Sequence, residues 1–323
     1  MRAPPVSEAL WTPALKCSNA TVTQNANYMR GQYHAFTRCP TELWYWEWQS
    51  KLVSDDFVYL EVGCNKASDS VMNLRAFTAD KRVDIDKWLE ETQFDDSFAC
   101  DFDRERWQDI QNITETNVLK YRHFCIEAAV ENAKPVQAAA KKLGYDRLGL
   151  SMYHAAVSSS SDPPFIRFPV IPPGAESTGI DTNHSKYTEF HDVKVVTVDE
   201  FIVENHIERL HVLKIDTEGN DPLVLLGAIN TLVQLKPSYL QFENHQVGRW
   251  MNWQLKDVID LLDNLSYDCF WPTKSGTLIK MTSCWSREYN MKVGWSNVAC
   301  HHRDDPLLAQ IMNTHLLSEM FDR

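Results

Sequence analysis

The chain has 323 residues, 44% of them apolar and 24% charged, a balance close to that of ordinary globular domains and unlike that of a disordered tail. Its formal net charge of -12 disfavours a sequence-independent grip on nucleic-acid phosphate or anionic lipid, and its scattered basic residues form no patch that would reverse this. No stretch approaches the roughly 20 apolar residues of a spanning helix, and Met1-Arg2-Ala3-Pro4-Pro5 leads into no signal-peptide core, so the chain reads as soluble with a lean toward the cytoplasm.

Residues 1–55 read as an aromatic-rich extension, and residues 56–323 as one α/β domain carrying an insertion at about 79–117. In the run Trp44-Tyr45-Trp46-Glu47-Trp48-Gln49 alternate positions would share one face of a strand, which predicts rings packed over a sheet; a sugar-stacking platform is the other use. Phe57 to Val62 is a first strand, turning through Gly63–Ser70 into a helix that runs through Leu74. The insertion stands before the second strand, which places it near the cofactor edge or over the mouth of a site as a lid. His123 to Ile126 is the second strand, followed by a helix starting near Pro135 and stopping at Gly144. Leu148 to Val157 is a third strand, Phe165 to Val170 an edge strand and Val193 to Val196 another. Thr197-Val198-Asp199-Glu200 then has capping-box spacing. His211 to Ile215 is a central strand; Asp221-Pro222 supplies a cap and first-turn proline for a helix carrying Leu223, Leu226, Ile229 and Leu232. Tyr239 to Phe242 is a strand, Gln254 to Leu265 a helix, Asp268 to Trp271 a strand, residues 277–282 and Asn297 to Cys300 an antiparallel edge, and Pro306 to Met320 a closing helix.

Four of these apolar runs end in an acid: Glu61, Glu127, Asp216 and Glu243. In open α/β sheets ligands bind beyond the carboxyl ends of the strands, so acids in that series point to a nucleoside-type cofactor pocket. The turn Glu61-x-Gly63-x-Asn65 permits close backbone approach and leads to free amides at a helix start, yet it lacks Gly-x-Gly-x-x-Gly, which disfavours pyrophosphate. Glu127 is placed to accept from both ribose hydroxyls. Asp216, Glu218 and Asp221 fall within six positions; neighbouring carboxylates push their pKa values apart and give one a base role near neutrality, with a hard-cation site as the rival use and a simple helix cap as the reading of Asp221. His245 is a candidate general base and a loop histidine otherwise. The adjacent His301-His302 point apart in extended chain, so no metal is assigned.

Eight cysteines in a chain this long do not suggest a disulfide scaffold, and Cys64, Cys125 and Cys269 fall in or beside strands where buried thiols are common, so most are expected reduced. Against this stand three glycosylation tripeptides beginning at Asn19, Asn112 and Asn264, usable only in a secretory lumen; with an upstream membrane anchor to take the chain there, Cys17 and Cys39 could pair.

Together these segments resemble the FkbM family of S-adenosylmethionine-dependent methyltransferases. The resemblance runs through Tyr59–Lys66, Cys125–Ala128, His154–Ser158, Val196–Glu200, Leu213–Gly219 with Val224–Ala228, and Gln241–His245, six segments in the family's order. It implies a class I methyltransferase fold, with a mostly parallel sheet, helices on both faces and an antiparallel edge. It further implies that Glu61, Gly63 and Asn65 cradle the methionine part of S-adenosylmethionine, that Glu127 holds the ribose, that Ala156 lies near the adenine, and that Asp216 and Glu218 face the reaction. One departure is Ala67, where the family usually has glycine; alanine at a helix start predicts weakened rather than absent cofactor binding. The expected function is O-methylation of a hydroxyl on a small molecule or sugar, with Asp216, Glu218 and His245 as base candidates. The rivals are a non-catalytic carbohydrate-binding protein that keeps the fold, and an enzyme of another kind using a nucleotide cofactor.

Overall fold

The computed structural model describes residues 16–31, 41–94, 102–160, 162–176, 178–290 and 295–317. Helices α1 (Asn19–Gly31) and α2 (Leu43–Lys51) come first, then strands β1 (Val53–Ser54) and β2 (Phe57–Val62). Helices α3 (Ser68–Thr78), α4 (Ile85–Thr92) and α5 (Phe102–Ile110) lead to β3 (Asn117–Val118), β4 (Tyr121–Glu127), α6 (Val130–Leu143), β5 (Leu150–His154) and β6 (Ala156–Val157). A hairpin of β7 (Phe165–Pro169) and β8 (Phe190–Val196) precedes α7 (Val198–Glu204), β9 (Val212–Ile215), α8 (Asp221–Leu226), α9 (Ile229–Gln234) and β10 (Tyr239–His245). The chain closes through α10 (Leu255–Asn264), β11 (Tyr267–Pro272), β12 (Leu278–Lys280), β13 (Trp295–His302) and α11 (Pro306–Thr314).

Eight strands form one sheet in the order β12-β11-β13-β10-β9-β2-β4-β5. The five from β10 to β5 run parallel and the pairings at the other edge are antiparallel, as the sequence predicts. Both faces of the parallel strands are buried, so the alternation of side chains divides two cores instead of separating core from solvent. Val58, Leu60, Val62, Leu213, Ile215, Leu240 and Phe242 pack with α7 to α10. Phe57, Tyr59, Val212 and Tyr239 pack on the other face with α2, α3, α4, α6 and α11. Glu61 and Lys214 belong to this second face by register, directly opposite one another.

Several local expectations hold at atomic detail. Thr197 and Glu200 form the reciprocal capping box at α7, and Gly144 ends α6 with φ 75°. Others are corrected. The aromatic run is helix α2, not a strand: Trp44, Tyr45 and Trp48 share its buried face and join the second core, while the half-buried Trp46 packs against the cluster of Met72, Ala76 and Ile110. That packing removes Trp44, Tyr45 and Trp48 as a sugar platform. Helix α6 starts at Val130 and contains Pro135. The helix expected after Asp221 breaks at Gly227, where an added Cβ would stand 2.2 Å from the Ser158 carbonyl oxygen. The described part of residues 79–117 packs α4 and α5 beside α3 and α6, with Trp88 and Val83 in the second core and Ile110 against Met72 and Ala76. Among the described residues of that segment none lines the main cavity.

The cysteine expectation is also overturned. Cys17 pairs with Cys284, Cys64 with Cys125, and Cys269 with Cys300, which lies directly across from it on β13. Cys17 therefore does not pair with Cys39, which lies outside the described residues.

Candidate active site

The order of connection changes direction at β2. From it the chain builds β4 and β5 on one side and returns to add β9 and β10 on the other, so a crevice opens beyond the carboxyl ends of these strands. A cavity of about 260 Å³ occupies it. The candidate cofactor residues Glu61, Gly63, Asn65, Glu127 and Ala156 all line this cavity, as do Asp216, Glu218 and His245.

The first turn is built from left-handed residues at alternate positions, Gly63 (φ 82°), Asn65 (φ 47°) and Ala67 (φ 55°). Glycine is required at the first, because a Cβ there would sit 1.7 Å from the Asp216 carbonyl oxygen. Ala67 is a correction to the expectation of an unstrained helix start: the left-handed region costs a non-glycine residue about 1–2 kcal/mol. The turn is tied to β4 by the Gly63 amide on the Ile126 carbonyl at 2.8 Å and by the Cys64–Cys125 disulfide.

Asn65 connects three parts of the site. Its amide donates to Glu127 Oε2 at 2.9 Å, and its Nδ2 donates to the Ala175 carbonyl at 2.9 Å. Its buried Oδ1 has no hydrogen-bond partner, an acceptor aimed at a donor such as an ammonium. Glu127 also accepts from the Ala129 amide at 2.8 Å. Burial pushes its carboxyl up to about 6, partly offset by those amides. Beyond it, Ala156, Phe168, Ile171 and Ile180 form an apolar wall suited to a flat ring.

Residues 171–176 and 178–180, between β7 and β8, lie across this cavity as a strap. Gly174 donates to Asn132 Oδ1 at 2.7 Å, and Lys66 pairs with Glu176 at 3.3 Å. Gly179 rests on the acidic loop: a Cβ there would stand 2.4 Å from the Glu218 carbonyl oxygen.

Glu61 is committed inward. Lys214 Nζ lies 3.0 Å from its Oε1, while Ser70 Oγ donates to Oε2 at 2.6 Å and His123 Nε2 lies 3.1 Å from the same atom. Lys214 also binds Asp69. Burial opposes ionisation of Glu61, yet the Lys214 charge and the His123 and Ser70 contacts hold it down at about 2. Its place is the floor beneath the first turn.

At the other end of the cavity, burial and the charges of Glu243 and Glu218 push the Asp216 carboxyl well above the usual range. Asp221 does not act as the helix cap; it accepts from Thr217 Oγ1 and from the Glu243 amide, each at 3.0 Å, and burial raises it to about 6. His245 Nε2 lies 2.5 Å from Glu243 Oε2 and 3.9 Å from Glu218 Oε2. Burial opposes its protonation, but the Glu243 contact and the surrounding acids raise it to about 9, so the imidazole carries its proton at neutral pH. Among the described residues no group of acids, histidines and cysteines has the spacing to hold a metal ion.

Sequence reasoning did not single out Lys214, Asn132, the strap or Trp295, which lines the cavity opposite His245 in the β10–β13 register. A lysine inside an apolar strand was a usable signal for the first. A loop such as Ile171-Pro172-Pro173-Gly174 carries no periodicity that announces a wall.

Among solved structures, a crystal structure of a SAM-dependent methyltransferase from Aquifex aeolicus is similar at 8% identity and a TM-score of 0.31, over 88% of this chain and 98% of that one. No curated protein matches the sequence. The family model of the methyltransferase FkbM domain matches residues 84–269, more than half of the chain. That span begins after the first turn and includes Glu127, Ala156, the acidic loop and His245, and on this match the chain belongs to the FkbM methyltransferase family.

Proposed function

We propose that the chain is an S-adenosylmethionine-dependent O-methyltransferase acting on a hydroxyl of a small molecule or sugar. The observation that carries this reading is the convergence of the Asn65–Glu127 hydrogen bond and the acidic loop on one cavity. The residues fit the cofactor. Asn65 Oδ1 offers an unpartnered acceptor to the amino group, Glu127 keeps lone pairs for the two ribose hydroxyls, and the apolar wall takes the adenine. When bound, the cofactor supplies a methyl group on a cationic sulfur, which passes to the acceptor oxygen as the sulfur becomes a thioether and the hydroxyl proton leaves.

The chain's part is alignment and acceptance of that proton. Burial and the acidic neighbours Glu243 and Glu218 push the Asp216 carboxyl up, and a cation brought to the cavity acts in the opposite direction. Asp216 and Glu218 therefore stand ahead of His245 as the base, because His245 already holds a proton against Glu243. Its role is to orient the acceptor and to balance the acids. The carbohydrate-binding alternative loses its support, since Trp44, Tyr45 and Trp48 of α2 are packed inside the protein.

Calorimetric titration with S-adenosylmethionine and S-adenosylhomocysteine, with Glu127→Ala as control, tests the cofactor assignment. Saturable binding lost in the variant is the expected result. A folded wild-type sample that gives no heat with either ligand removes the reading. Where binding is found, transfer of labelled methyl to a panel of sugars and small alcohols tests the acceptor class, and label found on an acceptor nitrogen or carbon contradicts O-methylation.

A further inference from the structure

We infer that this protein matures in an oxidising secretory lumen and carries N-linked glycans at Asn19, Asn112, Asn183 and Asn264. Two independent sets of observations meet in this assignment. The first is the cysteine pairing. All six described cysteines form disulfides, and with Cys284, Cys64, Cys125, Cys269 and Cys300 buried, these bridges are parts of the core and not surface redox sensors. Cytosolic thiol pools keep such pairs reduced, whereas a secretory lumen forms and preserves them. A shared metal is not the reason these cysteines lie together, since among the described residues no metal-holding cluster exists.

The second set concerns the glycosylation tripeptides. Besides Asn19-Ala20-Thr21, Asn112-Ile113-Thr114 and Asn264-Leu265-Ser266, a fourth is present at Asn183-His184-Ser185. All four asparagines are exposed. Asn19 is the first residue of α1 and Asn264 the last of α10; Asn112 follows α5, and Asn183 turns back on itself with its Oδ1 accepting from the Ser185 amide at 3.0 Å. By contrast the buried asparagines Asn25, Asn73, Asn132, Asn220, Asn244 and Asn297 begin no such tripeptide. A glycan is bulky and hydrated, so it is compatible with the folded chain at the exposed set and incompatible at the buried one. The tripeptides therefore fall on the compatible set alone. None of the four asparagines lines the cavity, so the modification leaves the site open.

The test begins with the protein in the cells that make it. Extract probed with an antibody to the chain, before and after peptide N-glycosidase, is expected to show a drop in apparent mass. An unchanged band overturns the proposal. The enzyme converts each glycan-bearing Asn to Asp, so digestion in heavy-oxygen water followed by peptide mapping assigns the sites. Expected are labelled peptides containing each of Asn19, Asn112, Asn183 and Asn264; a mass shift with any of the four unlabelled overturns the assignment at that position, and label confined to other residues overturns it altogether. For the full chain expressed behind a secretion signal, the substitutions N19Q, N112Q, N183Q and N264Q are each expected to remove one step of the shift. Alkylation of the native, unreduced protein is expected to modify none of the six described cysteines, and free labelling of Cys269 and Cys300 in a folded sample overturns the compartment.

Discussion

Replacing Lys214 by methionine removes the one ammonium that Glu61 and Asp69 share beneath the first turn. Glu61 is held at about 2 instead of its ordinary 4.5, and at about 1.4 kcal/mol per pKa unit this corresponds to about 3 kcal/mol of stability. Because the folded-state value is depressed, the contribution is fully present above pH 4.5 and is lost as pH falls toward 2. Without Lys214 the buried carboxylate keeps only the His123 and Ser70 contacts against its desolvation, and breaking a buried pair in this way costs about 3–5 kcal/mol. Urea unfolding at pH 7 is therefore expected to show Lys214→Met destabilised by about 3 kcal/mol, with Glu61→Gln/Lys214→Met recovering part of that loss because neither charge is then buried alone. The parent should lose stability between pH 4.5 and 2. A Lys214→Met protein within about 0.5 kcal/mol of the parent at pH 7 would refute the reasoning, as would a double variant less stable than the two single losses combined.

Affinity for S-adenosylmethionine should be level above pH 7 and fall as pH drops through about 6, where Glu127 gains a proton and ceases to be a pure acceptor; Glu127→Gln should flatten that dependence in the same titration. Gly179→Ala places a methyl group against the Glu218 carbonyl and should lift the strap, weakening cofactor binding about tenfold, or about 1.4 kcal/mol, with unchanged affinity counting against the strap. Ala67→Gly relieves about 1–2 kcal/mol of left-handed strain against about 0.5–1 kcal/mol of glycine entropy, so thermal unfolding should shift up; a downward shift contradicts the account. Replacing Cys64 and Cys125 together by serine should cost about 2–4 kcal/mol in urea unfolding and weaken cofactor binding, and unaltered binding would show that the bridge does not hold the turn.

The parallel strands were legible because each is a short apolar run bounded by turn residues, and the acids at their ends announced which edge faces a ligand. Asp216, Glu218, Glu127 and His245 could be placed around one opening for that reason. The aromatic run misled because the period of two in Trp44, Trp46 and Trp48 competes with the helical spacing of Trp44, Tyr45 and Trp48, and the structure uses the second. Cysteine pairing was illegible in principle. Cys17 and Cys284 lie 267 positions apart and meet through the tertiary fold alone. The Lys214–Glu61 pair follows from strand register, which the pattern of a single strand does not reveal.

The strap between β7 and β8 supplies wall residues to the cavity but no strand to the eight-stranded sheet. The walls of the cavity are thus carried by parts of the chain with different structural obligations. The first turn and the acidic loop are fixed by register, by left-handed backbone and by neighbouring carbonyls, so substitution there disturbs folding and catalysis together. The strap is held instead through Asn132, Asn65, the Lys66–Glu176 pair and the Gly179 contact, with Ile171 packed among Ala156, Phe168 and Val193 outside the eight-stranded sheet. Exchanges in the strap would therefore reshape the cavity wall and the small apolar cluster around Ile171 while the strand pairings of the main sheet stay as they are.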